Sequence, residues 1–320
     1  MKIYRYYARQ RTKIFQKIFR LRPFPFGEVE QIVDNFLARV ASLMAEIFVN
    51  LPNKSPFRPL EEGSRHNKNA TKTNKIAMLS LIYWIWILIS CLVITLLSAI
   101  AWVVCYPFDK RRTVVHALSR CLVWCIHGVP FLTRHRIEGL EKLDPKKSYV
   151  IMANHNSMFD ITSMYYLPLN FRWVTKREVM KTPFFGQLIF MHGDIMINRG
   201  RAAQAMEQML REGKMWLDRG VSVAVFPEGT RSKTGEMARF KAGGFMMAKE
   251  LKATILPVVM DGTNRVVKPK SFLFNWSNRI TVRVLDPIPA EEVMSADTRV
   301  LMEKVETQIR EELAAIRQGK

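Results

Sequence analysis

The hydrophobic positions follow three different rhythms along the chain. From Ile76 to Phe108 there is no charged residue, and neither Gly nor Pro occurs before Pro107. About 20 apolar residues suffice to cross a bilayer core, so this run predicts a membrane helix. Tyr83, Trp84 and Trp86 lie toward one end and Trp102 and Tyr106 toward the other, where aromatic belts form. Lys68, Lys72 and Lys75 precede the run and Lys110, Arg111 and Arg112 follow it, so flanking charge does not choose an orientation. A helix entering steeply and ending at Pro107 would satisfy both flanks. Next, Val114, Val115, Leu118, Leu122, Cys125 and Val129 recur at helical spacing, with Arg120 off the stripe. That segment is either an interfacial helix or an ordinary amphipathic helix packed on the domain.

Beyond Ile137 short apolar runs alternate with helical patterns. Strands are expected at SYVIMANH, FRWVTK, DIMINR, VSVAVF, TILPVVM and RITVRVLD. Helices are expected from near Ser157, within residues 176–193 with a break around Pro183 and Gly186, over Ala202–Arg219 and Lys241–Leu251, and from Ala290 to Gln318. Such alternation predicts an α/β domain, a central mixed sheet flanked by helices. The expected organisation is a basic arm and linker over residues 1–75, partly disordered, anchoring helices over 76–129, and the α/β domain over 130–320.

In open α/β sheets the site lies beyond the carboxyl ends of strands. Three polar clusters fall at such ends: Asn154-His155, Asn198-Arg199, and Pro227 to Ser232. Histidine titrates near neutral pH and suits general-base work, provided a partner fixes its tautomer. Asp160, one helical turn on, could fold back on His155. Ser157-Met158-Phe159-Asp160 is equally a capping box, in which Asp160 would only cap a helix. In FPEGTRS, Pro227 ends a strand, Gly229 permits a tight turn, and Arg231 offers a fork for phosphate. Glu228 could orient Arg231 or bind a substrate hydroxyl. Lys233, Arg239 and Lys241 add positive field or are simply solvated. His192 and Asp194 are the nearest candidates for a metal, too few for a site, and no metal is expected.

Charge changes this picture in one respect. The chain has 49 Lys and Arg against 28 Asp and Glu, a formal +21. The first 75 residues hold 15 of the cations and 6 of the acids. A chain so basic seeks polyanions: nucleic acid, anionic membrane or phosphorylated substrates. The arm, MKIYRYYARQRTKIFQKIFRLR, lacks the apolar core of a secretory signal and is either a membrane-surface helix or dispensable; Met78 would then serve as a start. Cys91, Cys105, Cys121 and Cys125 all lie in the apolar region with no ligand spacing, and read as buried hydrophobes in a reducing compartment.

NHNSMFD resembles the NHx4D signature of glycerolipid acyltransferases. GDIMINR is similar to their second block, FPEGTRS to their third and ILPVVM to their fourth, in the same order and with similar spacing. Where the second block often carries Asp before its Arg, this chain has Asn198. The likeness runs from about Ile76 to the C-terminus and is greatest to the 1-acylglycerol-3-phosphate acyltransferase type. It implies a glycerol-phosphate-acyltransferase-like fold with an N-terminal two-helix membrane motif. It implies transfer of a fatty acyl group from acyl-CoA or acyl carrier protein to lysophosphatidic acid, without cofactor and without a covalent acyl-enzyme, giving phosphatidic acid. The alternative acceptor is another lysophospholipid or an amino-lipid. Carried over, His155 is the general base, Asp160 its orienter, and Arg199, Glu228, Gly229, Thr230 and Arg231 hold the acceptor. The expected setting is a membrane anchor with the catalytic domain on the cytoplasmic face, where thioester donors are found. Membrane lipids and these substrates are the expected partners, and nucleic acid is not: a nucleic-acid binder has no use for NHx4D or FPEGTRS.

Overall fold

The computed structural model describes residues 66–320, apart from 129–132, 233–234, 268–270, 276–277 and 320, with side chains from residue 74 onward. The arm, Lys233 and Val129 therefore lie outside the described residues. The first helix among the described residues, α1 (His66–Cys105), begins ten residues inside the predicted linker. No Gly or Pro follows Gly63 before the apolar run, so a helix nucleated in that run propagates back through the polar residues. It stops two residues before Pro107, as proline requires. A corner at residues 106–112 leads to α2 (Thr113–His127).

The sheet has seven strands, in the order β1-β7-β6-β2-β5-β3-β4. They are β1 (Thr133–Glu138), β2 (Val150–Ala153), β3 (Phe171–Lys176), β4 (Ile195–Ile197), β5 (Ser222–Val225), β6 (Ile255–Asp261) and β7 (Asn278–Val284). Strands β2 to β6 run parallel; β7 is antiparallel to β6 and parallel to β1. The mixed sheet expected from the alternation is present. The remaining helices are α3 (Met158–Met164), α4 (Phe185–His192), α5 (Ala202–Asp218), α6 (Gly243–Glu250), α7 (Ala290–Ser295) and α8 (Thr298–Arg317). The closing helical region is split between α7 and α8, and Asp297 caps α8 by accepting N–H bonds from Arg299 (2.8 Å) and Val300 (3.2 Å).

Alternation along the strands decides which layer each residue joins. Val150, Met152, Val223, Val225, Ile255 and Val259 face a core completed by Trp216, Phe245, Val305 and Ile309 from α5, α6 and α8. On β3, Arg172 reaches that layer, over the Trp216 ring at 4.7 Å. Its neighbours Phe171 and Trp173 turn to the other face, where Phe171 meets His116 of α2 and Tyr165 just beyond α3.

The two N-terminal helices are part of the same packed body. Ser80, Tyr83, Ile87, Ser90, Cys91, Ile94 and Ser98 form the buried stripe of α1. Small residues on it let α2 approach closely. Tyr83 hydroxyl donates to the Ile126 carbonyl and Trp86 Nε1 to the Cys125 carbonyl (3.0 Å). At its far end Trp102 packs on Phe190 of α4. The outer stripe, including Leu81, Ile85, Leu88, Leu92, Leu96 and Val103, is exposed. No residue of α2 is exposed. It is held between α1 and the α/β domain, which favours the packed-helix alternative for this segment.

Candidate active site

All three polar clusters emerge on one rim, because β2, β4 and β5 are parallel and end there. At the end of β2, the Asn154 side chain imitates a strand residue. Its Nδ2 donates to the Met260 carbonyl (2.8 Å) and its Oδ1 accepts the Met260 N–H (2.8 Å). That pairing ends the strand firmly, and His155 follows. The His155 N–H donates to Glu228 Oε1 (2.6 Å), and its carbonyl accepts the Ser232 N–H (2.9 Å). The loops after β2 and β5 are thus bound to each other at the histidine's own backbone.

Asp160 makes the capping contact and the contact to the imidazole with one oxygen. Oδ2 accepts the N–H of Asn156 (2.6 Å) and of Ser157 (2.7 Å), and lies 3.0 Å from His155 Nδ1. Ser157 Oγ reciprocates by accepting the Phe159 N–H (3.3 Å), completing a capping box. The carboxylate is fully buried and the imidazole is 12 % exposed. An acceptor at Nδ1 selects the tautomer with its proton there and leaves the Nε2 lone pair free. The ring is held from its face as well, stacked on Phe226 at 3.9 Å and 7°. Phe226 in turn stacks on Trp173 of β3 at 4.8 Å.

Glu228, expected at the acceptor, has other partners. Its second oxygen accepts the Ala238 N–H (2.8 Å), so both oxygens take backbone donors, and the residue is 2 % exposed. Burial raises its pKa, opposed by the two N–H bonds. Its geometry is that of a clamp between loops. Gly229 has φ +76°, a left-handed conformation that any side chain strains. A Cβ there would also lie 3.1 Å from Lys241 Nζ. Lys241 is secured across the turn by its own N–H, which donates to the Pro227 carbonyl (2.9 Å). Arg199, from the end of β4, donates through Nη1 to the Gly229 carbonyl. Arg199, Thr230, Arg231 and Lys241 are exposed on this rim, as is Lys176 at the end of β3. The turn therefore offers a cationic surface suited to an anionic group.

The sequence does not single out Phe226, Trp173 or Lys176, and it marks Lys241 only as part of a charge run. The signal for Phe226 was its place inside FPEGTRS. The others are brought in by the order of the strands. His192 and Asp194 enter a different network. Asp194 Oδ1 accepts from His192 Nδ1 (2.6 Å) and from the Trp173 N–H (2.9 Å), and His192 Nε2 faces His116 Nδ1 (2.9 Å) and Arg172 (3.2 Å). Burial lowers the pKa of both histidines. Among the described residues no group of three or more His, Cys, Asp or Glu side chains could hold a metal ion.

Residues 134–261, the segment carrying every rim cluster, match the sequence model of the family described as Acyltransferase. A 1-acyl-sn-glycerol-3-phosphate acyltransferase of Limnanthes douglasii is 30 % identical over 212 residues, covering 63 % of this chain and 73 % of that protein. The chain belongs to this acyltransferase family. The human 1-acyl-sn-glycerol-3-phosphate acyltransferase beta is 29 % identical over 209 residues, 64 % of this chain and 74 % of its own. Matches to mammalian alpha forms span 60–61 % of those proteins. The crystal structure of the 1-acyl-sn-glycerophosphate acyltransferase PlsC from Thermotoga maritima shares the fold, with a TM-score of 0.62 at 19 % identity, covering 76 % of this chain and 98 % of that one. The protein is thus an O-acyltransferase enzyme with the family's central sheet, its NHx4D histidine placed at the rim.

Proposed function

We propose that this acyltransferase is membrane-bound and moves a fatty acyl group from an acyl-CoA or acyl carrier protein thioester to the free hydroxyl of 1-acyl-sn-glycerol 3-phosphate, producing phosphatidic acid. The observation that carries this reading is the His155–Asp160 pair beside the cationic Gly229 turn. His155 Nε2 takes the proton of the acceptor hydroxyl as its oxygen attacks the thioester carbonyl. Asp160 stabilises the imidazolium that forms. Collapse of the tetrahedral species breaks the C–S bond, and the departing sulfur receives the same proton from Nε2. No covalent acyl-enzyme is needed, and no metal or cofactor takes part. Arg199, Thr230, Arg231 and Lys241 hold the acceptor's phosphate at the Gly229 turn, while Glu228 keeps that turn against His155. Residues 76–129 anchor the protein through the outer face of α1, and residues 130–320 form the catalytic domain. That domain works on the cytoplasmic face, where thioester donors are made.

The test is transfer of labelled acyl from acyl-CoA, and separately from acyl carrier protein, to lysophosphatidate by membranes carrying the protein. His155→Ala should lower turnover by about two to four orders of magnitude, the usual contribution of a general base. Equal product from wild type and variant would remove His155 from the chemistry.

A further inference from the structure

The connection from β6 to β7 folds back on itself at one point. An isolated antiparallel bridge between Val267 and Phe274 closes it, and the Asn275 N–H donates to the Val266 carbonyl (2.9 Å). Its base is sunk into the protein. Val266 and Phe274 are buried, and the Phe274 ring packs on Tyr83 (4.7 Å) and Trp84 (5.0 Å) of α1 and faces Phe159 of α3 at 6.5 Å. Two further bonds tie it to α1. The Phe274 N–H donates to Ser80 Oγ (3.0 Å), and Trp84 Nε1 donates to the Phe272 carbonyl (2.8 Å).

The two residues just before Phe274 behave oppositely. Phe272 is 79 % exposed and Leu273 40 %. The backbone that presents them is held to α1 at the Phe272 carbonyl and the Phe274 N–H. The two helices against which Phe274 packs carry exposed apolar side chains as well: Leu81 and Ile85 on α1, and Met158 and Ile161 on α3. Ser80 and Trp84 lie just past Lys75, the last cation before the charge-free run, so Phe272 and Leu273 stand where α1 passes from polar to apolar. The rim itself carries Lys176, Arg199, Arg231 and Lys241, exposed cations of the kind that meet lipid phosphates. The loop leaves the end of β6, which is parallel to β2, so it rises from the same rim as His155.

We propose that Phe272 and Leu273 form a second lipid-inserting element, which with the outer face of α1 seats the catalytic rim on an anionic phospholipid bilayer. This rests on the membrane-bound reading above. One embedded helix leaves the domain free to roll about the helix axis; a second point of insertion stops that rotation. The rim then meets a lysolipid whose chain stays in the bilayer and whose hydroxyl lies in the headgroup layer.

The experiment uses the full chain with Phe272→Ser and Leu273→Ser combined. Acceptor is supplied in vesicles of phosphatidylglycerol and phosphatidylcholine, or as a monomeric short-chain lysophosphatidate in solution. We expect kcat/KM on vesicles to fall about tenfold, in keeping with two lost apolar insertions, and the soluble acceptor to be turned over as by wild type. No change on vesicles, or an equal fall in both assays, overturns the proposal. Insertion is also read without turnover, by a nitroxide at Phe272→Cys in a chain whose four native cysteines are alanine. On vesicles it should be relaxed by lipid-dissolved oxygen and shielded from aqueous nickel, and a nitroxide at Arg299→Cys on α8 should behave oppositely. A water-exposed label at 272 overturns the proposal. Absence of turnover on both acceptors would count against the proposed function, and the nitroxide would still decide insertion.

Discussion

At the scale of single residues, one carboxylate oxygen organises the rim around His155. Asp160 Oδ2 gathers two backbone N–H groups and the His155 ring, so the cap that starts α3 also fixes the imidazole. Capping and orienting, the two roles that SMFD allows, converge on the same oxygen. Glu228 shows how far a motif can be read. Its presence in FPEGTRS is plain from the sequence, but the target of its carboxylate depends on where two distant loops meet. Glu228→Gln places an amide donor against a backbone donor at His155 or Ala238. That should cost about 1–3 kcal/mol of stability and lower kcat by roughly tenfold through a displaced His155, with little change in acceptor KM. Steady-state kinetics beside urea denaturation checks this. A raised KM with kcat intact would return Glu228 to the acceptor itself.

At the scale of elements, a buried arginine joins the N-terminal helices to the sheet. Arg172 donates to the Phe171 carbonyl (2.6 Å), to Asn170 Oδ1 (2.9 Å) and to the Arg111 carbonyl at the α1–α2 corner, with Trp216 beneath it. Burial lowers its pKa to about 10, so the guanidinium is charged at neutral pH. Beside it Arg112 Nη1 donates to the carbonyls of Phe190 (2.8 Å) and Met191 (3.1 Å) of α4. These bonds cross between elements that periodicity describes separately. Arg172→Met fills the volume but leaves several carbonyls without a donor. Its expected cost is about 3 kcal/mol, seen as a lower denaturant midpoint and faster proteolysis at the 106–112 corner. An unchanged midpoint would mean that the corner is held by apolar contact alone.

At the scale of the whole molecule, the seam between α2 and the domain makes stability depend on acid. His127 is buried against Thr133 Oγ1 (3.1 Å) and Thr162 Oγ1 (2.7 Å), and burial pushes its pKa down to about 3. In the unfolded chain a histidine takes up a proton near pH 6.5. The folded state therefore binds fewer protons, and stability should be lost as pH falls from about 6.5 toward 3, by at most about 1.4 kcal/mol per pH unit for this group. His116, lowered for the same reason and by its neighbour His192, acts in the same direction. A His127→Gln variant should show a shallower decline of the denaturant midpoint between pH 7 and 5. Parallel curves for variant and wild type would refute the assignment.

By itself the sequence determined whatever depends on neighbours along the chain. The charge-free run, the alternation of strands and helices and the clusters at strand ends are local patterns, and each has its counterpart in the structure. The start of α1 at His66 and the strand β1 were not legible. Residues 66–75 are polar and become helical only by continuing the apolar run. TRHRIE lies at the edge of the sheet, where polar side chains are tolerated and the apolar signal is weak. Only the tertiary structure decided the order of the strands, and with it the stack of Trp173, Phe226 and His155, the Glu228 clamp and the reach of Lys241 across Gly229. The physical reason is the length of the separations. His155 and Glu228 stand 73 residues apart, and Ser80 and Phe274 stand 194 apart. No local propensity couples positions so distant; the packing of the sheet brings them within a hydrogen bond.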